Sequence, residues 1–135
     1  MVGYVVLGIS ALLSLFGLGL LSMGALLIAW LTLAGPMMAE PDALKQRHGL
    51  WVKRTAIYAL IAHSVVTVFL ATEMTVAIQS GEAHGIIGAF FAHYILDHAS
   101  EFVIGAWIGF RTLKGGLNFS DAKCPVGQKM PALAE

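Results

Sequence analysis

Charge and cysteine are both scarce in this chain. Only 12% of its 135 residues are Asp, Glu, Lys or Arg, and no basic residue precedes Lys45. A secretory signal peptide needs a basic start, a short apolar core and a small-residue cleavage site. Here the first apolar run is too long and lacks the basic flank, so the segment is expected to be retained. The single cysteine, Cys124, cannot form an internal disulfide, and no CxxC pair or c-type haem attachment motif is present, so it reads as an inert thiol. The chain also lacks HExxH, a P-loop and a Gly-x-Ser-x-Gly elbow, and its polar stretches leave no room for a substrate domain or a nucleotide fold. Its basic residues flank segment ends and are not interleaved with a stacking surface, so no nucleic acid is implied.

What the chain has in excess is apolar length. Hydrophobic residues make up 58% of it, and the mean hydropathy is +0.79. A bilayer core needs roughly 20 predominantly apolar residues per helix. Three segments qualify: Val2 to Ala34, Leu50 to Ile78, and Gly85 to Leu113, followed by a polar tail over residues 114–135. The expected fold is therefore an all-α integral membrane protein with three transmembrane helices in one membrane domain. The basic residues Lys45, Arg47, Lys53, Arg54, Arg111, Lys114, Lys123 and Lys129 all lie near the first connector or beyond the third segment, and the second loop, QSGEAHG, has none. The positive-inside rule then places the N-terminus and second loop outside, with the first connector and the C-terminus in the cytoplasm.

Local signals add detail. Gly3, Ser10, Gly17 and Gly24 recur every seven residues and form a small-residue stripe if the first segment is one helix. Such stripes let membrane helices approach closely. Gly35-Pro36 ends that helix, and the connector suits a short interfacial helix starting near Pro41 or Asp42 and ending before Gly49. His48 reads as solvated or lipid-facing there, beside Trp51 as an interfacial anchor. Lys114-Gly115-Gly116 reads as the stop of the third helix.

The third segment contains HYILDHASE, residues 93 to 101. At about 100° per residue, His93, Asp97 and Glu101 share one narrow helical face, which Tyr94 and His98 extend and Gly105 and Gly109 continue. If the second and third helices form an antiparallel hairpin through the short loop, His63 lies level with Glu101 and close to His98. Thr67 is then level with Asp97, and Glu73 is level with His93. An ionised carboxylate at the bilayer centre costs about 3 kcal/mol on insertion scales. These groups must therefore be neutral, paired or metal-bound.

Each choice implies a function. His93, Asp97, His98, Glu101 and Glu73 carry nitrogen and oxygen donors suited to a transition metal such as iron, copper or zinc. Bundle di-metal sites use Glu and Glu-x-x-His, whereas this chain has one reversed copy, His98-Ala-Ser-Glu101, so a dinuclear site needs a partner subunit. Haem b, or less favourably a chlorin, could be held by His63 with His98 or His93. Without a cofactor the same residues suit a proton path, with Glu73, Glu82 and His84 near its outer mouth. A purely structural role in docking another subunit is the remaining reading. The leading expectation is a small subunit of a membrane oxidoreductase or energy-transducing complex, in a bacterial or organellar inner membrane. It would contribute a metal or haem site and work among other membrane subunits of a hetero-oligomer.

Overall fold

A computed structural model describes residues 1–125, apart from the side chain of Ala83. Among the described residues the chain is all helical, with four helices and no strand. They are α1 (Val2–Leu15), α2 (Gly19–Ala39, which widens to a π-helical stretch over Ala29–Ala34), α3 (Ala43–Ser80) and α4 (Ala83–Ser120). Gly19–Ala39 and Ala43–Ser80 are long and apolar enough to cross a membrane.

The first apolar segment is not one helix, which corrects the expectation of a single span from Val2 to Ala34. Helix α1 stops after 14 residues, and Gly17 adopts a left-handed φ of +72° that reverses the chain. The Gly17 and Leu18 N–H groups donate back to the carbonyls of Ser14 and Leu13, closing the last turn of α1. Helix α2 then returns alongside α1: Ser10 meets Ser22 near the turn, and Gly3 meets Met37 at the far end. The supposed small-residue stripe is thereby divided among an interior face, a turn and a second helix. Among the described residues, Gly24 has nothing within 4 Å of where a Cβ would stand. This reversal also corrects the placement of the N-terminus opposite the first connector. Met1 lies at the same end as Met37, and Tyr4 bonds to His48.

Asp42 caps α3 by accepting from the Leu44 N–H at 2.8 Å, as a short polar side chain before a helix does. The helix does not end at Gly49 but runs 38 residues to Ser80, about 57 Å. Gly81, at φ +70°, caps it in the left-handed conformation that glycine adopts without penalty. After the two-residue turn Gly81-Glu82, α4 runs back for another 38 residues. It passes through the predicted stop at Lys114-Gly115-Gly116. There Gly115 makes room for packing: a Cβ would stand 2.5 Å from Tyr4 and 2.7 Å from Trp51.

The core lies where the α1–α2 hairpin packs against one half of the α3–α4 pair. Leu7, Leu26, Ala29, Val52, Ala56, Ala59, Ile104 and Ile108 are buried in it. Gly105 brings α1 and α4 into backbone contact, since a Cβ there would be 2.9 Å from the Ala11 carbonyl oxygen and the Leu15 nitrogen. Beyond the hairpin's turn, α3 and α4 continue as a bare pair with Phe69, Val76, Ile87, Phe90, Phe91 and Ile95 exposed.

Candidate functional site

The end of the α1–α2 hairpin meets α3 and α4 at the level of Glu101. Glu101 is 6% exposed and His63 only 1% exposed, and His63 Nδ1 stands 2.7 Å from Glu101 Oε1. The predicted antiparallel register, with His63 level with Glu101, is therefore observed. The other carboxylate oxygen, Oε2, lies 2.6 Å from Ser14 Oγ, which is also 2.8 Å from the Glu101 backbone carbonyl. His63 Nε2 lies 3.3 Å from Ser22 Oγ, and Ser22 Oγ lies 2.8 Å from Ser10 Oγ. The Glu101 carboxyl rests against Gly19, the first residue of α2, where a Cβ would stand 2.3 Å from Oε1.

Proton counting limits the states of this network. A serine hydroxyl has one hydrogen to donate. Ser14 donates undivided to the Glu101 carbonyl in one state, where Oε2 itself carries a proton and donates to Ser14. In that state the His63 Nδ1–H donates to Oε1 and Nε2 accepts from Ser22. In the alternative, Ser14 donates to an ionised Oε2, and an imidazolium donates from Nδ1 to Oε1 and from Nε2 to Ser22. Every side chain keeps a partner in both states. They differ by one proton, carried on Nε2 in one and on Oε2 in the other.

A cavity of about 550 Å³ opens beside the pair, lined by the turn residues Gly17 to Leu21 with Met23, Thr67, Asp97 and Glu101. Two carboxylates therefore face one space, together with the non-helical backbone of the turn. On the opposite side, beyond Ser10, the interior closes with Leu7, Leu26 and Ala29, all fully buried.

The other predicted residues do not converge. His98 is exposed, its ring 4.2 Å from that of Tyr94 and its Nδ1 3.0 Å from the Tyr94 carbonyl, with Nε2 beside Gly17. His93 is half-buried, and its Nδ1 is enclosed with no hydrogen-bond partner among the described residues. Glu73 is exposed, and no hydrogen bond or ion pair among the described residues joins it to His93. Glu82 and His84 are exposed at the α3–α4 turn. Among the described residues, no group of three or more His, Cys, Asp or Glu is arranged to hold a metal ion. His63 has both ring nitrogens engaged within the chain.

Three serines of the site, Ser10, Ser14 and Ser22, were not singled out as site residues from the sequence. The available signal was their place as polar side chains in a charge-free run, with Ser10 and Ser14 one turn apart on a helical face. A second network lies at the basic end. His48, expected to be solvated, is fully buried, with Tyr4 OH donating to Nδ1 at 2.5 Å and Nε2–H donating to the Lys123 carbonyl at 2.8 Å. Burial holds the His48 imidazole below its usual pKa; the Lys123 carbonyl opposes that shift and the positive N-terminus adds to it. Cys124 is a half-buried free thiol whose carbonyl accepts from Asn118. Comparison with protein-family models, with curated proteins and with solved structures finds no match.

Proposed function

We propose that this chain is a small integral-membrane subunit of a proton- or ion-transporting, energy-transducing complex, in which His63 and Glu101 take up and pass on a proton. The membrane reading is supported by apolar helices that are mostly bare. Only 22% and 28% of the most apolar windows of α2 and α3 are buried within the chain, whereas the core helix of a soluble protein is mostly covered. If α3 crosses the bilayer, the two-residue turn obliges α4 to cross back. Helix α1, about 21 Å long, is too short to cross a core of about 30 Å, so the α1–α2 hairpin enters and returns on the same side. The basic residues favour the cytoplasm for that side, which holds the N-terminus and the end of α4.

The observation that carries the relay reading is the paired carboxyl of Glu101, fully hydrogen-bonded and open to a cavity shared with Asp97. Non-helical backbone at membrane depth persists only where protein covers it or where it lines a watered cavity. The Gly17 turn fits the second case, since water there would satisfy its free backbone groups and reach Asp97. Protons would arrive through the cavity and exchange on Glu101 and His63, with Ser22 and Ser10 orienting the imidazole. Because Leu7, Leu26 and Ala29 close the interior beyond Ser10, release would return to the cavity side, where a partner subunit would supply the rest of the path. A metal or haem site is less well supported, because the donors diverge and His63 has no free ring nitrogen.

The test is proton translocation by vesicles that hold the native assembly purified through this chain. Glu101→Gln should lower coupled flux roughly a hundredfold, as losing a positioned proton-transfer group does, while the assembly stays intact. Wild-type flux in the combined Glu101→Gln and Asp97→Asn variant overturns the relay. Stoichiometric metal, or a Soret band lost in His63→Ala, favours the cofactor reading instead.

A further inference from the structure

Away from that site, one flank of the α3–α4 pair holds cationic, aromatic and apolar side chains in register. Arg54, Tyr58 and Ala62 follow at i, i+4 and i+8 on α3, and Val103, Trp107 and Arg111 do the same on α4. Two cross-helix contacts, His63 with Glu101 and Thr55 with Arg111, fix the register. Arg54 is thereby level with Arg111, Tyr58 with Trp107, and Ala62 with Val103. A cavity of about 220 Å³ lies along the lower two tiers, lined by Tyr58, Ala62, Val103, Ile104 and Trp107.

Two cations lie above it. Arg111 lies 3.8 Å from the centre of the Trp51 ring and 5.1 Å from that of Trp107, and its Nε donates to Thr55 Oγ1 at 2.9 Å. Among the described residues, neither Arg54 nor Arg111 takes part in an ion pair. A guanidinium offers five N–H donors in a planar fork that suits a phosphate. Among the described residues a single one is used on Arg111, whose guanidinium is stacked in place by tryptophan.

We infer that this flank binds an anionic phospholipid, with its phosphate on Arg54 and Arg111 and an acyl chain laid in the cavity between Tyr58 and Trp107. The inference rests on the membrane-spanning part of the reading above and not on the proton relay. The arginines lie toward the basic end of the helices and the cavity runs from them toward the membrane centre. From Arg54 to Ala62 is about 12 Å of helix, a fitting run for the upper part of a chain. Tryptophan and arginine together at headgroup depth suit an interface that attracts anionic lipid.

The test is native mass spectrometry of the full chain released from nanodiscs of mixed phosphatidylglycerol and phosphatidylcholine. Wild type should retain the anionic lipid preferentially. The ratio should fall about fivefold for Arg54→Gln or Arg111→Gln and about twenty-five-fold for both. Ala62→Leu, which fills the cavity and keeps both arginines, should lower lipid retention without altering the response to inorganic phosphate. An unchanged ratio in the double variant overturns the inference. So does displacement of the lipid by inorganic phosphate at equal concentration, which would mean a simple anion site. Release of the chain from membranes by alkaline carbonate would sink the membrane reading itself; a chain that stays embedded but shows no preference sinks only the lipid site.

Discussion

Gly19 offers the sharpest test of how the hairpin and the buried pair depend on one another. An alanine there places its methyl carbon 2.3 Å from Glu101 Oε1, 2.7 Å from Cδ and 3.1 Å from Oε2. The carboxyl must swing away, and it cannot do so while bonded to both His63 and Ser14. Separating a buried pair costs about 3–5 kcal/mol and alanine's better helix propensity returns about 1 kcal/mol, so the net loss is about 2–4 kcal/mol. Gly24, in the same helix, has open space where its Cβ would stand, so Gly24→Ala should gain up to about 1 kcal/mol. Unfolding in mixed micelles, followed by near-ultraviolet circular dichroism of the tryptophans, measures both. Equal shifts of the same sign would refute the reasoning, because propensity alone would then explain them.

Other consequences follow from the same packing. Gly105→Ala should cost about 1–3 kcal/mol by forcing α1 away from α4, since its Cβ would meet backbone atoms that have no rotamer to yield. Gly109→Ala meets only the Ala11 Cβ at 3.8 Å and should be neutral or gain up to about 1 kcal/mol; unfolding midpoints compare the two. His48 sets a pH dependence at the basic end. Its folded-state pKa is depressed, so the unfolded chain binds the extra proton first as pH falls, and stability is full above about 6.5 and declines below it. Unfolding midpoints across that range should slope for wild type and flatten for His48→Gln.

Register across the α3–α4 pair was legible in the sequence, because a tight turn and a fixed rise per residue leave little freedom. That is why His63 and Glu101 meet as expected. The hairpin was not legible by the same logic. An uncharged run from Val2 to Ala34 satisfies the length of a membrane helix, and apolar content does not reveal that Phe16-Gly17-Leu18 reverses it. The misplaced N-terminus follows from that one miss. Gly115 was misread because glycine serves both to stop helices and to admit neighbours, and the neighbours, Tyr4 and Trp51, come from other helices. The i, i+4, i+8 stripe divides for a related reason. Helix α1 is 14 residues long and reaches only the level of Glu101, so Asp97 faces a cavity, His98 meets only the Gly17 turn, and among the described residues no third helix covers His93.

In the proposed relay the enclosed imidazole and carboxyl share a mobile proton. Infrared difference spectroscopy of wild type against Glu101→Gln in lipid, with isotope-labelled histidine, tests that sharing. A protonated-carboxyl band that shifts in heavy water and vanishes in Glu101→Gln, with a change in the labelled-imidazole bands in the same variant, is the predicted result. A wild-type spectrum indistinguishable from that of Glu101→Gln would contradict it.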